Sequence, residues 1–214
     1  MSVDLYILKK GDRLLPYESI IRAAFDEVIL KIKEKIDLPD VDVIVVDNPL
    51  FAIPETGVSG FVNSKHLVTI SINPDLPQLE ETLAFEICST IAHELNHCIR
   101  MKAVSSYGNL LEALVSEGLA DNFDIEINGS KLRPWSVSLD DEKLAELKKS
   151  AEADIKNNKY NHDDWFFGRE DRGIPRWAGY SIGFDIVKKY IQKSGKKASE
   201  LTTTKAEEFF KITD

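Results

Sequence analysis

The chain has 214 residues, enough for one domain with a large core, and 43% of them are hydrophobic and 29% charged, as is ordinary for a globular protein. The 27 basic and 36 acidic residues give a net charge of −9, which argues against a protein that binds nucleic acid through its phosphates. No stretch approaches the roughly 18 apolar residues of a membrane-spanning helix, and the first residues lack the pattern of a signal peptide.

The two cysteines do not indicate a disulfide. Cys88 and Cys98 fall in one predicted helix, where ten residues correspond to roughly 15 Å along the axis, whereas a disulfide requires Cα atoms within about 7 Å. We therefore expect reduced thiols and a cytoplasmic protein, with neither nucleic acid nor a membrane among its partners.

The first 76 residues predict a small sheet with one helix. Short β-branched or alternating runs predict strands at 3–10, 41–47 and 65–75, and apolar residues at helical spacing predict a helix at 17–36. The stretch 49–64 is rich in Gly and Pro and predicts a loop.

From residue 77 onward the pattern becomes helical. Apolar residues recur at intervals of three and four in five segments, which predict helices at 76–104, 109–127, 139–157, 176–194 and 204–212. We therefore predict an α+β fold, organised as a single domain with a mixed α/β lobe at 1–76 and a helical lobe at 77–214.

The helix predicted at 76–104 carries the motif His93-Glu94-Leu95-Asn96-His97. The two histidines lie together on one face because residues four apart are neighbours on a helix, and an apolar stripe occupies a different face. Neutral imidazole nitrogens so placed bind zinc, and a catalytic zinc takes a third protein ligand and keeps one position for water. Glu94 is rotated off the pair but stays beside it, where its carboxylate can take a proton from that water. The chain has only four histidines, so two at this spacing favour a zinc site over a chance pairing.

A candidate third ligand lies on the next predicted helix. Glu117 and Asp121 are four apart among apolar residues, and two like charges so placed repel each other by roughly 0.2–0.5 kcal/mol even when exposed. Both carboxylates therefore need partners. A zinc ion suits Glu117, and the ring N–H of a ligand histidine suits Asp121.

These residues resemble those of the gluzincin metallopeptidases, the thermolysin-like clan. His93-Glu94-x-x-His97 is followed by Ser116-Glu117-Gly118-Leu119-Ala120-Asp121, and gluzincins carry their third ligand, a glutamate, on the next helix in a pattern close to N-E-x-x-S-D. The distance of 20 residues from His97 to Glu117 is in keeping with that clan. Ser116 and Ala120 depart from its pattern, whereas the predicted ligands and Asp121 match it.

Three other side chains are weaker candidates for the third ligand. Cys98 points about 100° away from the neighbouring histidine, and Glu86 lies roughly 10 Å along the helix axis from the first histidine of the motif. His162 falls in a predicted polar loop, and nothing in its spacing favours a metal. We therefore predict zinc bound by two histidine nitrogens and one oxygen of Glu117.

Residues 60–190 also resemble a family of predicted Zn-dependent proteases with an H-E-x-x-H motif. That family tends to carry a Gly-Tyr-x-x-Gly stretch, which stands here at residues 179–183. The resemblance implies a zincin-like fold, with the zinc helix at the floor of a cleft between the two lobes. It also implies one catalytic zinc ion and a peptide or protein substrate, bound extended along the edge of the predicted strand at 66–73.

Several residues are candidates for stabilising the oxyanion of the tetrahedral intermediate. Gluzincins give this role to a Tyr or His outside the zinc helices, and Tyr180 and His162 are the candidates here. Tyr180 fits a packed core tyrosine equally well, and His162 also fits an ordinary exposed loop histidine. Tyr107 and Arg176 are further candidates.

The predicted function is that of a zinc-dependent peptidase. Glu94 removes a proton from a zinc-activated water and passes it to the leaving amine, while Asp121 orients a ligand imidazole. Two alternatives stay open: a zinc hydrolase of a non-peptide amide or ester, and a non-catalytic binding or regulatory protein in which zinc joins the lobes. Three protein ligands argue against the second, because structural zinc sites are usually closed by four.

Overall fold

The computed structural model describes residues 2–104, 108–129, 131–156 and 160–210. Over these ranges the fold is α+β, as predicted from the sequence, with one four-stranded sheet and seven α-helices. Tyr107 and the last residues of the helices predicted at 139–157 and 204–212 lie outside the described residues.

The sheet is mixed. Its strands are β1 (Val3–Ile7), β2 (Val41–Asp47), β3 (Val58–Ser64) and β4 (Leu67–Ile72). β1 pairs with β2 and β2 with β4 in parallel, and β3 pairs with β4 in antiparallel orientation, which gives the order β1-β2-β4-β3. A parallel pair requires a crossover connection, and helix α1 (Glu18–Lys33) supplies it between β1 and β2.

Side chains on one face of the sheet are buried. In β2 the valines at 41, 43 and 45 are buried, whereas Asp42 between them is exposed. In β4 the side chains of Val68 and Ile70 are fully buried. Helix α1 lies against β1 and buries Val28 and Ile32 completely. In β4 the alternation in the sequence therefore marked the inward-facing apolar residues correctly.

The structure corrects the sequence analysis at residues 58–64, which were predicted to belong to a loop. They form β3, which is bonded to β4 with an irregularity between Val62 and Ser64. β3 is an edge strand whose residues are mostly exposed or half-buried, so it does not need alternating large apolar residues. Two small residues, Ser59 and Gly60, lie near its centre. Its conformation depends on pairing with β4, and no local pattern encodes that pairing.

The same pairing corrects the expectation that the strand at 66–73 offers its edge to a peptide. β4 is bonded to β2 on one side and to β3 on the other, so its backbone groups already have partners in the sheet. Among the described strands, β3 and β1 are the two edges.

The other helices follow the predicted order, with one addition. They are α2 (Leu79–Ala103), α3 (Leu110–Asn128), α4 (Asp141–Lys156), α5 (His162–Phe166), α6 (Ala178–Ser194) and α7 (Ala206–Phe210). The addition is α5, which the sequence analysis placed in a loop; the Asn161 side chain caps it by accepting from the backbone N–H groups of Asp163 and Asp164. Within the described ranges, none of the helices combines the length and the apolar character that crossing a membrane requires.

Helix α2 buries the apolar stripe that its sequence predicts. The stripe consists of Leu83, Ile87, Ile91, Leu95 and Ile99, the first four fully buried and the last nearly so. The Cys88 thiol donates to the Ala24 carbonyl of α1 over 3.3 Å, and Cys98 Sγ lies 3.9 Å from the Ser64 carbonyl of β3. α2 therefore packs against α1 and against the edge strand.

The chain divides into two compact units. The first comprises Met1–Lys102 with Ile127–Gly129 and contains the sheet, α1 and nearly all of α2. The second comprises Ala103–Glu126 and Ser130–Asp214 and contains most of α3 and all of α4 to α7. This division after residue 102 differs from the change of character that the sequence places at residue 77, and the single-domain organisation stays a prediction.

In the second unit, α3 and α6 approach each other closely at two glycines. A Cβ added at Gly183 of α6 would collide with the carbonyl oxygen of Leu114, and one added at Gly118 of α3 would collide with the carbonyl oxygen of Gly183. The Asn122 side chain follows this contact and donates to the Gly118 carbonyl over 2.8 Å. The close packing of the two backbones therefore requires glycine at both positions.

The first glycine of the Gly-Tyr-x-x-Gly stretch has a similar role. A Cβ at Gly179 would lie 2.8 Å from the ring of Phe166, which is fully buried in the core of the second unit. Gly179 and Gly183 thus leave room for two different neighbours of α6, an aromatic ring and a helix backbone.

Gly183→Ala is expected to lower the free energy of unfolding by about 1–3 kcal/mol, because the added methyl group meets a backbone carbonyl that cannot rotate away. In an open helical position the same change stabilises by up to about 1 kcal/mol, so the sign is informative. Urea unfolding measures the effect. Gln192→Ala, at an exposed position of α6, is the control and should stay within about 0.5 kcal/mol of wild type. A Gly183→Ala protein as stable as wild type would contradict the close approach of α3 and α6.

Candidate metal centre

His93 and His97 lie one turn apart on α2, on a different face from the apolar stripe. Their Nε2 atoms are 3.1 Å apart, and their rings meet edge to face with centroids 4.8 Å apart. A tetrahedral zinc with bonds of about 2.1 Å separates its donor atoms by about 3.4 Å. The histidine pair is therefore within a few tenths of an ångström of the spacing that zinc requires.

Glu117 of α3 supplies a third donor to the same place. One ligand atom from each of His93, His97 and Glu117 lies within 4.8 Å of the other two, and His93 and Glu117 are half-buried. The structure thus brings together the three residues that the sequence analysis selected, and their binding to zinc stays a prediction.

Glu94 follows the first histidine and is only 7% exposed. Its side chain lies against the backbone of β3, since a Cβ added at Gly60 would stand 2.6 Å from Glu94 Cδ and closer still to Cγ and Oε1. One side of the Glu94 side chain therefore lies against the edge strand, and Glu94 is not one of the three donors described above.

Two other potential donors on α2 stand outside this group. Burial, and then the nearby charge of Glu94, raises the pKa of the Cys98 thiol to about 12. A thiol that keeps its proton at neutral pH is a poor zinc ligand. Glu86 is buried two helical turns before the first histidine.

Asp121 lies one turn after Glu117 on α3 and is 1% exposed. Its Oδ1 accepts from Trp135 Nε1 over 3.1 Å, and its Oδ2 accepts from Ser136 Oγ over 2.6 Å. These two hydrogen bonds hold the carboxylate as an acceptor in one orientation. That Asp121 also orients a ligand imidazole stays a prediction.

The segment that carries Trp135 and Ser136 is itself attached to α6. Ser181 Oγ donates to the Trp135 carbonyl over 2.8 Å and accepts from the backbone N–H of Ser138 over 3.0 Å. The orientation of Asp121 therefore depends on residues from three separate parts of the second unit.

Both candidates for the oxyanion role contact one aromatic ring of the second unit. Tyr180 of α6 is half-buried, with its ring centroid 5.0 Å from that of Phe166. His162, at the start of α5, is exposed and stacks on the same Phe166 ring at 4.4 Å. His162 is not a member of the group of three donors described above.

Tyr160 joins this aromatic cluster, and it is not among the residues for which the sequence predicts a function. Its hydroxyl lies 2.7 Å from Nδ1 of His162. Burial, and then the negative charges of Glu117 and Asp163, raises the pKa of Tyr160 to about 12, so the hydroxyl keeps its proton at neutral pH. Tyr160 is thus a hydroxyl donor within electrostatic range of Glu117. Nothing in its local sequence signals this, because the proximity to Glu117 arises from the fold.

Comparisons with known proteins agree with this site at the level of family. The chain is similar to two curated proteins of Bacillus subtilis (strain 168). With Uncharacterized protein YjfC it shares 27% identity over 164 residues, which are 69% of this chain and 52% of the relative. With Uncharacterized protein YjaZ it shares 28% identity over 130 residues, which are 58% of this chain and 49% of the relative. The chain spans about half the length of these curated relatives.

No solved structure matches the chain. A family model described as "Predicted Zn-dependent protease (DUF2268)" matches residues 21–211, which include the histidine pair, Glu117 and the Gly-Tyr-x-x-Gly stretch. The chain belongs to this family of predicted Zn-dependent proteases.

Proposed function

We propose that the chain is a zinc-dependent peptidase of the gluzincin type, with one zinc held by His93, His97 and Glu117 and with Glu94 as the general base. The observation that carries the proposal is the convergence of these three donors, with a buried glutamate directly after the first of the two histidines in the chain. The family description supports the metal and the reaction class at a coarser level.

The donor set suits zinc by its chemistry. Two imidazole nitrogens and one carboxylate oxygen are ligands that catalytic zinc takes, whereas Ca²⁺ and Mg²⁺ prefer sets of oxygen ligands. Three protein donors leave one position for water, which a structural zinc closed by four ligands lacks. Zinc bound there lowers the pKa of a water molecule and polarises a carbonyl oxygen.

Glu94 is proposed to handle the proton in both halves of the reaction. It follows His93 directly, so the helix turns it off the donor pair, and one side of its side chain lies against the edge strand. Since it is not a metal ligand, Glu94 can accept the proton of the attacking water and return it to the leaving amine.

The remaining roles fall to residues of the second unit. Asp121, held by Trp135 and Ser136, is proposed to fix the ring of one ligand histidine. For the oxyanion we propose a hydrogen-bond donor from the aromatic cluster. Tyr160 is a third candidate for this role, in addition to Tyr180 and His162. The protonated hydroxyl of Tyr160 and its electrostatic link to Glu117 support its inclusion.

A peptide substrate is proposed to bind extended along β3 rather than along β4. β3 is an edge of the sheet, and its backbone at Gly60 lies directly against Glu94. An added strand would pair with backbone groups that an edge strand leaves unused. A peptide so bound runs past the proposed general base.

The proposed location is the cytoplasm. Cys88 and Cys98 are both buried and not disulfide-bonded, and both lie on α2. Proteins with reduced thiols are typical of reducing compartments.

The metal ligands are tested by zinc content. Wild-type protein should carry about one zinc, and His93→Ala, His97→Ala and Glu117→Ala should each lose it, because two donors do not hold the ion tightly. The chain offers matched controls in its two other histidines: His66→Ala and His162→Ala should keep the metal. Metal analysis of the purified proteins gives the readout. Full zinc in Glu117→Ala, or its loss in His162→Ala, would overturn the choice of third ligand.

The general base is tested by Glu94→Gln, which keeps the size of the side chain but removes its proton affinity. Turnover should fall on the order of 10²- to 10⁴-fold while zinc content is unchanged. A peptide-library digest read by mass spectrometry measures turnover and reports cleavage sites. A panel of non-peptide amides and esters separates the alternative hydrolase from a peptidase. Near wild-type turnover in Glu94→Gln would show that the general base is another residue.

Asp121→Asn tests the residue behind the ligands. An amide replaces one acceptor oxygen by a donor, which faces either Trp135 Nε1 or Ser136 Oγ. Zinc affinity or turnover should fall by about 10- to 100-fold in a chelator competition and a kinetic assay. Ser136→Ala is the companion variant: it removes one of the two hydrogen bonds but keeps the carboxylate, so its effect should be smaller. Unchanged affinity together with unchanged turnover in Asp121→Asn would exclude the role.

A further inference from the structure

The edge strand passes over Glu94 at a residue without a side chain. A Cβ added at Gly60 would lie 2.6 Å from Glu94 Cδ, and closer still to Cγ and Oε1. All three atoms belong to the outer part of the Glu94 side chain. Both residues lie in the first compact unit. The space that any other amino acid at position 60 would fill is therefore the space that the Glu94 carboxylate occupies.

The backbone at Gly60 does not itself require glycine. Six other glycines of the described chain have a positive φ, and Gly60 is not one of them. Its strand conformation suits any residue, and a glycine inside a strand weakens it because there is no side chain to pack. The stability of β3 alone would thus favour a larger residue, and the contact with Glu94 is what opposes it.

The direction in which a clash would be relieved follows from the atoms involved. The backbone of β3 at residue 60 is held by pairing with Ile70 of β4, whereas the end of a glutamate side chain turns about three bonds. A methyl group at residue 60 would therefore displace the carboxylate of Glu94 and leave the strand in place. The three atoms nearest to this methyl group all belong to Glu94, and none of them is a histidine nitrogen.

We propose that Gly60 is a positioning residue for Glu94: the missing side chain on β3 makes the room that holds the carboxylate beside the histidine pair. The inference rests on the proposed function, in which Glu94 is the general base, and adds a residue on another element that sets its position. Because a general base must stand within hydrogen-bond reach of the water whose proton it takes, a shift of about 1 Å decides whether it acts.

The kinetic test is Gly60→Ala. Zinc content should equal that of wild type, and KM should change by less than about two-fold, while kcat should fall on the order of 10²-fold, as expected for a misplaced catalytic group. A role of Gly60 only in seating the substrate would raise KM with kcat unchanged. Wild-type kcat in Gly60→Ala would overturn the proposal.

A thermal test on zinc-free protein needs no substrate. Gly60→Ala should lower Tm by about 5 °C when Glu94 is present, because two groups then compete for one space. In the Glu94→Ala background the three clashing atoms are gone, so adding Gly60→Ala should lower Tm by less than about 2 °C. Equal losses in both backgrounds would mean that Gly60 acts through the strand and not through Glu94, which overturns the proposal.

The two tests separate this inference from the proposed function. If Glu94→Gln hydrolyses peptides like wild type, the general-base role of Glu94 fails, and the positioning role of Gly60 in catalysis fails with it. The Tm measurements still show in that case whether Gly60 and Glu94 compete for one space. If Glu94→Gln is inactive and the losses in Tm are equal, the proposed function stands and the positioning role of Gly60 falls.

Discussion

Helix α2 has to bury one face in a core and present the histidine pair on another face, and the period of 3.6 residues per turn makes both possible. Leu83, Ile87, Ile91 and Leu95 fall on one side and are fully buried, while His93 and His97 fall on another with their Nε2 atoms 3.1 Å apart. The helix is not amphipathic in the simple sense, since Glu86, Glu94, Asn96 and Arg100 are buried as well. Burying so many polar groups is unfavourable unless they have partners. The elements packed around α2 must therefore come close to it and supply those partners.

Glycines allow two such close approaches, one of a strand to α2 and one between two helices of the second unit. Gly60 lets β3 pass over Glu94, and Gly118 with Gly183 lets α3 lie directly on α6. The second contact bears on the proposed centre because Gly118 is the neighbour of Glu117, so the packing of α3 against α6 sets the position of that carboxylate within its unit. A helix with a larger residue at 118 or 183 would have to move outward, and the carboxylate would move with it.

Electrostatics decides how two acidic residues can stand one turn apart on an apolar helix. Asp121 receives hydrogen bonds from Trp135 and Ser136, which stabilise its charge and hold it as an acceptor. Glu117 is one of three donors that converge, and its charge contributes to the raised pKa of Tyr160. A cation bound to Glu117 would relieve the repulsion between the two carboxylates, which is why the proposed zinc and the acidic pair suit each other.

The sequence by itself determined what is local. It predicted α2, α3, β2 and β4, the apolar stripe of α2 and the alternation of β4, because helical and strand periods are properties of one segment. It also predicted that His93 and His97 share another face of α2. It also selected Glu117 from its spacing and its apolar surroundings. It missed β3, whose conformation depends on pairing with β4, and it missed α5, although Asn161 before His162 is a cap residue that can be recognised. Only the tertiary structure decided that β3 and not β4 is the edge, that Gly60 faces Glu94 and that the charge of Glu117 raises the pKa of Tyr160. These relations join residues far apart along the chain, and no local period encodes which distant segments will meet.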